Sequence, residues 1–436
     1  MLQEAPRRDH EGEGPVYRLQ EDKVSWNDRD RHSIRGVVSL RELSAIWNNS
    51  VRLGPGAGGH LMVLTDRLSV LFLESSRNFG GQERRLLNEA RWLSERGHNI
   101  AIAVPVDGIA FQRAASTGLK TFRVPMRRSF ELSSLYRLIK IIRDHQIDIL
   151  YSHSGKDSWL GGICSFLTAV PLIRSRELLT PIKHKTPYNL LPKRILACSE
   201  AVKKHLLANG VDGERIFVHY PPVETRKFSG VSYSEIQTLR RELCVNDHFP
   251  IIVCVGEFRQ EKRQIDLLLA LKSLSQKYPS VRLVLVGSGK GSAMLRASAV
   301  DLGVCDSVLF LGEREDIPAI LAIADVFVLV SSSEPFGMSA VEAMAAGLPV
   351  VVTRVGGLVE IVSDGIDGIH VPPMSPEAIS EAISRIVRDP GLREGLITKG
   401  MIRAKYFDAP IAMDRLFGHF QEVIRAQGRH SDVANA

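Results

Sequence analysis

The chain has 436 residues, of which 44% are hydrophobic and 24% are charged, the balance of a soluble globular protein. This length predicts two domains rather than one. No apolar run approaches the roughly 20 residues that a membrane-spanning helix needs, and the first residues lack the apolar segment of a secretory signal peptide. The five cysteines are scattered without Cys-x-x-Cys spacing, which favours a reduced, cytosolic protein.

The formal net charge of +7 is unevenly distributed along the chain. Residues 71–230 carry 25 basic and 14 acidic side chains, net +11, whereas residues 231–436 carry 21 and 25, net −4. This asymmetry predicts an anionic partner for the first half of the fold. No helix-turn-helix, zinc-finger or RNP signature accompanies the basic residues, so an anionic membrane surface is favoured over a nucleic acid. A basic face that is merely solvated is the alternative.

The first 66 residues differ in composition from the rest of the chain. They are rich in Asp, Glu, Arg, Asn and Gly and end in a glycine-rich run, which predicts a disordered N-terminal extension. Met62, just before the ordered pattern, is then a candidate for the physiological start. The sequence Asp-Arg-Asp at 28–30 fits the D-x-D pattern of one class of metal-dependent transferases, but no strand precedes it. No metal site is therefore predicted.

Strand and helix patterns alternate from residue 69 onward. An apolar strand at 69–74 is followed by a glycine-bearing loop and then by a helix that places Leu86, Ala90 and Leu93 on its apolar face, with Arg84 and Arg85 elsewhere. The next strand is the apolar run at 99–104, and helix and strand repeat after it. Such alternation predicts a parallel sheet.

The same alternation restarts at residue 250, after a polar, turn-rich segment at 221–237. The predicted fold class is therefore α/β, with two doubly wound parallel sheets of Rossmann type and a cleft between them. We expect a first domain at 67–230 and a second at 231–405. The last segment, 406–436, is expected to form a helix that packs back toward the first domain and to end in a tail.

The stretch SSSEPFGMSAVEAMAAGLPVVVT, residues 331–353, places one carboxylate on each side of a tight turn. The turn follows a buried strand, and ligands of parallel sheets bind at the carboxyl ends of the strands. Free N–H groups of Gly337, Met338 and Ser339 at the start of the next helix form an anion site. Two acceptors, Glu334 and Glu342, beside an anion site suit a nucleoside diphosphate sugar. Alternatively, both are ordinary acids near a helix N-terminus.

From Glu334 onward this region, EPFGMSAVEAMAAGLPVVVTRVGGLVEIVSDGIDG, resembles the E-x7-E region of the retaining family 4 glycosyltransferases, which have the GT-B fold. The resemblance extends over most of residues 68–425. It implies that Glu342 binds the ribose hydroxyls and that Glu334 lies beside the donor sugar. It also implies that the amides of Phe336, Gly337 and Met338 face the sugar and the diphosphate.

A second part of the resemblance is the charged loop VGEFRQEKRQ, residues 255–264. Lys262 matches the family lysine that holds the diphosphate. Where the family commonly has an arginine after the glycine, this chain has Glu257, and Arg259 is the candidate to replace the lost cation. A solvated charged loop is the alternative interpretation.

Other segments match the family less specifically. Gly80 and Gly81 correspond to the glycine loop near the diphosphate and acceptor, although a plain tight turn is an alternative. His153, just past a strand end, matches the family histidine near the transferred sugar. Gly287 lies in the turn that lets the nucleotide approach the backbone, and backbone near Arg314 is placed beside the base. The segment YPPVETRKF departs from the common Asn-Gly-Val-Asp of the family.

The resemblance implies a retaining, metal-independent glycosyltransferase that needs no cofactor beyond its nucleoside diphosphate sugar donor. The acceptor is expected to be a glycan or lipid-linked molecule in the synthesis of surface polysaccharide or lipopolysaccharide. The expected location is the cytoplasm, with peripheral attachment to the inner face of the membrane. The alternatives are a nucleotide-sugar epimerase of the same fold and a nucleotide-sugar-binding protein without turnover.

Overall fold

The computed structural model of this chain describes residues 67–78 and 80–434, and the side chains up to residue 427. The N-terminal extension expected at 1–66, Met62 and the Asp-Arg-Asp sequence all lie outside the described residues. The two predicted alternations of strand and helix lie within them.

The first sheet is built from seven strands: β1 (Ser69–Leu73), β2 (Asn99–Val104), β3 (Lys120–Arg123), β4 (Ile149–Ser152), β5 (Leu172–Arg176), β6 (Arg194–Ala197) and β7 (Ile216–Val218). All neighbouring strands are parallel, and their spatial order is β3-β2-β1-β4-β5-β6-β7. The strand order reverses between β1 and β4, so a crevice opens there at the carboxyl ends of the strands.

The second sheet has six strands: β8 (Ile251–Val255), β9 (Arg282–Val286), β10 (Val308–Gly312), β11 (Val326–Leu329), β12 (Val350–Thr353) and β13 (Ile369–Val371). They are also parallel, in the order β10-β9-β8-β11-β12-β13, and here the order reverses between β8 and β11. The prediction of two doubly wound α/β sheets is confirmed.

Helices connect and cover both sheets. Those up to residue 242 are α1 (Gly81–Glu95), α2 (Ile109–Ser116), α3 (Leu132–Asp144), α4 (Gly155–Thr168), α5 (Thr186–Asn189), α6 (Glu200–Ala208), α7 (Arg226–Ser229) and α8 (Tyr233–Glu242). Those of the remainder are α9 (Gln264–Lys277), α10 (Ser292–Asp301), α11 (Ile317–Ala322), α12 (Met338–Ala345), α13 (Leu358–Ile361), α14 (Pro376–Arg388), α15 (Pro390–Ala404) and α16 (Ala409–Ala434). Short 3₁₀ turns occur at Gly213–Arg215, Gln260–Lys262, Cys305–Ser307 and Lys405–Phe407.

Helix α1 begins after the glycine loop because Glu83 reaches back to cap it. The Glu83 carboxylate accepts a hydrogen bond from the Gly80 N–H at 2.7 Å, which is one half of a capping box and satisfies an otherwise free amide. Leu86, Ala90 and Leu93 are buried, as the apolar pattern predicts. Arg85, which the pattern places off the apolar face, is buried too, because it forms an ion pair with the buried Glu89 at 2.6 Å.

The last helix, α16, belongs to the core of the first domain. Met413, Leu416 and Phe420 are fully buried in one cluster with residues of β1, β2 and α1. The chain thus crosses between the domains twice, and the two crossings run side by side. Val223 donates its N–H to the Phe407 carbonyl at 3.1 Å and accepts from the Ala409 N–H at 2.9 Å.

Candidate active site

The carboxylate of Glu334 lies at the point where the strand order of the second sheet reverses. It follows β11, and the loop after the neighbouring β8 is tied to it by a backbone hydrogen bond from Ser332 to Glu261 at 2.8 Å. This brings the Lys262 ammonium to 2.6 Å from Glu334 Oε2, and the Ser331 hydroxyl donates to the same oxygen at 3.0 Å. Glu334 is only 5% exposed, so the carboxylate is held in one position by its partners.

The turn after Glu334 exposes several backbone amides. Gly337 has a φ of 111°, a left-handed conformation that favours glycine, and α12 begins at the next residue. Among the described residues, the N–H groups of Phe336, Gly337, Met338 and Ser339 have no hydrogen-bond acceptor. Free amides and the positive end of the α12 dipole are the groups with which a helix start can bind an anion.

The backbone of this turn rests on Gly357, in the loop after β12. The Gly357 N–H donates to the Glu334 carbonyl at 2.9 Å. A Cβ on Gly357 would lie 2.5 Å from the Pro335 carbonyl oxygen and 2.6 Å from Phe336 Cα. A residue larger than glycine at position 357 would therefore displace the turn. The loop after β12 thus determines the position of the turn relative to the sheet.

Glu342 lies in the second turn of α12 and is half-buried. Burial raises the pKa of its carboxyl from 4.5 to about 7, and the positive charge of Arg84 opposes this rise. Arg84 belongs to the first turn of α1, in the first domain, so its charge acts on Glu342 from the other domain. Sequence analysis did not single out Arg84. The feature of the sequence that could have identified Arg84 is its position directly after the glycine loop, in the first turn of a helix.

The two cations that the resemblance assigns to the site, both in the loop after β8, have different partners. Lys262 contacts Glu334. The Arg259 guanidinium lies 2.6 Å from the carboxylate of Glu257, which stands where the family commonly has arginine. Because Glu257 neutralises it and both side chains are about half exposed, Arg259 lies at the rim of the site.

Gly287 and Arg314 lie at the carboxyl ends of β9 and β10. Gly287 has a φ of 131° and leaves no room for a Cβ, because the Gly256 carbonyl at the end of β8 lies directly against it. The Arg314 guanidinium makes two hydrogen bonds to Asp316, at 2.8 and 2.6 Å, and contacts Glu242 at 3.3 Å. Its side chain is thereby held by protein carboxylates.

His153 follows β4, where the strand order of the first sheet reverses. Its ring stacks on Phe72, and Nδ1 lies 3.3 Å from the Leu73 carbonyl oxygen, so this nitrogen carries the proton and donates. Burial lowers the pKa of His153 to about 4, which keeps the imidazole neutral near pH 7. Nε2 is then an acceptor, and it is buried with no hydrogen-bond partner among the described residues.

A buried carboxyl group, Glu74, connects the His153 loop to the glycine loop. Placed just after β1, it accepts hydrogen bonds from the Ser76 N–H at 2.7 Å, the Ser154 hydroxyl at 2.5 Å and the Gln82 amide at 2.7 Å. Burial and the charge of Asp157 raise the pKa of Glu74 to about 8. Gly80 and Gly81 precede Gln82, so this network positions the glycine loop. An acid that directly follows an apolar strand is the signal that sequence analysis passed over.

The arrangement offers anion-binding amides, a lysine and two carboxylates on the second domain, and a neutral histidine with an arginine on the first. Such groups can bind a diphosphate, accept hydrogen bonds from sugar hydroxyls and stabilise a departing phosphate. Within the described range, no group of three His, Cys, Asp or Glu side chains is arranged to hold a metal ion. No helix in the same range is long and apolar enough to span a membrane.

Comparison with known proteins gives two family matches that together span both domains. Residues 79–227 match Glycosyltransferase Family 4, and residues 235–402 match Glycosyl transferases group 1. An uncharacterized glycosyltransferase of Methanocaldococcus jannaschii is 32% identical over 288 residues, which cover 62% of this chain and 73% of the relative. The D-inositol 3-phosphate glycosyltransferase of Salinispora arenicola is 29% identical, over 65% of this chain and 70% of the relative.

Among solved structures, HepE of Anabaena in complex with UDP-glucose has a TM-score of 0.74 to this chain at 24% identity. The match covers 82% of this chain and 100% of the solved one. The overall arrangement of two Rossmann-like domains is thus the GT-B arrangement that the sequence predicts.

Proposed function

Because the chain belongs to the family 4 glycosyltransferases with the GT-B fold, we propose that it transfers a sugar from a nucleoside diphosphate sugar to a lipid-linked or glycan acceptor, with retention of configuration. The observation that carries this proposal is the Glu334–Lys262 pair beside the free amides of α12, at the reversal of strand order. It is the position where parallel sheets bind nucleotides.

In this proposal the second domain holds the donor. Glu342 accepts hydrogen bonds from the ribose hydroxyls, and the α12 amides bind the diphosphate. Lys262 has three N–H donors and uses one on Glu334, so the other two remain for the phosphate. Arg84 supplies the second cation from the first domain, since Arg259 is neutralised by Glu257.

The proposed reaction takes place on one face of the donor sugar. The bond between the anomeric carbon and the phosphate oxygen breaks, and its electron pair leaves with the diphosphate. The acceptor oxygen forms the new bond from the same face and passes its proton to the departing phosphate oxygen. Glu334 positions the sugar and stabilises its developing positive charge, and the Nε2 of neutral His153 accepts a hydrogen bond from a sugar hydroxyl. Neither a metal ion nor another cofactor is part of this proposal.

The donor is best found by binding. A bound nucleotide stabilises the folded state by mass action, so thermal shifts with UDP, GDP, ADP and dTDP rank the bases. The solved relative that holds UDP-glucose makes UDP the first choice. A protein whose melting temperature is unchanged by all four nucleotides at millimolar concentration would contradict the proposed donor site.

For the acceptor, a lipid-linked substrate at an anionic membrane surface is supported by an exposed apolar group in the basic first domain. Phe130, Leu132 and Tyr136 are 64%, 84% and 70% exposed around the start of α3. Arg127 and Arg128 lie immediately before them in the chain. Apolar side chains flanked by arginines suit insertion into the headgroup region of an anionic membrane. Synthesis of surface polysaccharide or lipopolysaccharide at the inner face of the cytoplasmic membrane is the corresponding role.

Liposome co-sedimentation tests the membrane part of the proposal. We expect binding to vesicles that contain anionic lipid, weakening as salt rises, and little binding to neutral vesicles. The double substitution Leu132→Ser with Phe130→Ser should abolish it. Tyr233→Ser, which removes a similarly exposed aromatic from the second domain, is the control. Equal failure of the parent protein on both vesicle types at low salt would contradict the membrane role and leave the transferase unaffected.

Turnover separates the proposal from its alternatives. A transferase releases UDP from UDP-glucose, slowly to water and faster with acceptor, whereas a binding protein releases none. An epimerase converts the sugar nucleotide without net transfer. D-inositol 3-phosphate, the acceptor named in several relatives, belongs in the acceptor panel. Acceleration by this small molecule alone, without any membrane lipid, would replace the lipid-linked acceptor by a soluble phosphorylated one.

A further inference from the structure

The N-terminus of α6, in the first domain, is in direct contact with the turn that carries Glu334. Ser199 caps α6, and its hydroxyl oxygen accepts a hydrogen bond from the Val202 N–H at 3.1 Å. The same hydroxyl donates its proton to the carbonyl of Pro335 at 2.6 Å. One buried serine is therefore hydrogen-bonded both to α6 of its own domain and to the second domain's turn after Glu334, which we call the donor turn.

A second contact between the domains lies one turn away. The Glu360 carboxylate accepts hydrogen bonds from the Glu200 N–H at 2.7 Å and from the Ala201 N–H at 2.6 Å. These amides are in the first turn of α6 and lack acceptors within the helix. The Tyr220 hydroxyl, in the segment between the two sheets, also donates to Glu360, at 3.3 Å. A carboxylate of the second domain thus completes the hydrogen bonding of a helix in the first.

Both contacts are connected through a segment of four residues. Gly357 supports the turn from below, because it donates to the Glu334 carbonyl and leaves room for Pro335. Glu360 follows three residues later. The donor turn is thereby held between Gly357 of its own domain and Ser199 of the other, and Glu360 holds α6 in the position where Ser199 reaches the turn.

We propose that Ser199 and Glu360 are positioning residues, which form a latch between the domains and place the Glu334 turn for sugar transfer only when the domains are closed. The effect of the latch on catalysis rests on the proposed function. The hydrogen bonds that form the latch do not depend on it. Neither residue is among those that the proposed function assigns to the donor. Rotation of the domains away from each other would break all four hydrogen bonds at once and free the carbonyl of Pro335.

Hydrogen–deuterium exchange tests the latch without any substrate. The amides of Glu200 and Ala201 should exchange slowly in the parent protein. In Glu360→Ala they should exchange at least tenfold faster, since their acceptor is gone. The first-turn amides of α8 serve as the internal control and should not change. Equal exchange of the α6 amides in the parent and the variant would overturn the proposal.

Kinetics with UDP-glucose test the positioning role. Ser199→Ala should lower kcat about tenfold, because small displacements of reacting groups are costly, while the KM for UDP-glucose stays within about twofold. Ser199→Thr, which keeps the hydroxyl, should restore most of kcat. Ser232→Ala removes a similar N-cap from α8 and should leave kcat unchanged. An unchanged kcat in Ser199→Ala, or a loss in Ser199→Thr or Ser232→Ala as large as that in Ser199→Ala, would overturn the positioning role. A parent protein inactive on UDP-glucose would instead count against the proposed donor.

Discussion

Glu342→Gln should make the protein more stable above pH 7 and at the same time weaken its binding of the donor. The carboxyl of Glu342 has a pKa of about 7 in the folded state, raised by burial from 4.5. Between these two values the folded state binds more protons than the unfolded state, so the stability that the protonated carboxyl contributes is full below pH 4.5 and is lost as the pH rises through 7. Glutamine stays neutral and does not incur this loss.

The size of the stability gain follows from the shift in the pKa of Glu342. A difference of roughly 2.5 pKa units corresponds to about 3.4 kcal/mol at most. Glu342 is half-buried rather than fully enclosed, so solvent screening reduces this, and we expect a gain of about 1–2 kcal/mol at pH 8.5. At pH 4 both side chains are neutral and the gain should disappear. The amide is a weaker acceptor than the carboxylate, which predicts a roughly fivefold weaker binding of UDP.

Urea unfolding at pH 4, 6 and 8.5 measures the stability, and UDP titration at pH 8.5 measures the binding. Glu394→Gln, an exposed glutamate of α15, is the matched control, since surface substitutions usually change stability by less than about 0.5 kcal/mol. A stability difference that is the same at pH 4 and pH 8.5 would refute the raised pKa of Glu342 in the folded state. Undiminished UDP binding would refute its place at the ribose.

Four further predictions concern the remaining groups of the site. Lys262→Met leaves the buried Glu334 carboxylate without its cation, so we expect unfolding to be about 3 kcal/mol easier in urea and turnover to be lost; the double variant with Glu334→Gln should recover stability but not activity. His153→Ala should lower turnover equally at pH 6 and pH 8, because a pKa of about 4 keeps the imidazole neutral at both; a loss confined to one pH would contradict this. Arg84→Ala should weaken UDP binding more than Arg259→Ala, measured by titration calorimetry, and the reverse order would place Arg259 on the diphosphate. EDTA should leave UDP release from UDP-glucose unchanged, and complete loss restored by Mg²⁺ would refute metal independence.

Most of the second domain could be predicted from local patterns. The apolar strand before Ser331, the glycine turn and the helix that starts near Ser339 are encoded within about twenty consecutive residues, and the structure has β11, the turn and α12 in these places. The anion site follows directly, because free amides at a helix start are a local property. The positions of Glu334 and Glu342 on either side of this site can also be predicted without knowledge of residues distant in sequence.

The partners of these groups depend on residues far along the chain. Arg85 looks like a surface residue in the helix pattern, yet it is buried because Glu89 and the His219 carbonyl, 134 residues away, receive its guanidinium. The hydrogen bond from the Ser199 hydroxyl to the Pro335 carbonyl, and the effect of the Arg84 charge on the pKa of Glu342, likewise link residues of different domains.

The sequence alone therefore determined the two parallel sheets, the turn after Glu334 and the two acids beside it, since periodicity and turn chemistry act over a few residues. Only the tertiary structure decided which charges are paired, which are buried and which reach the site from the other domain. Burial and long-range contacts set the pKa values of Glu74, His153 and Glu342. No local pattern reports them, because the desolvation and charge that cause them come from elements distant in sequence.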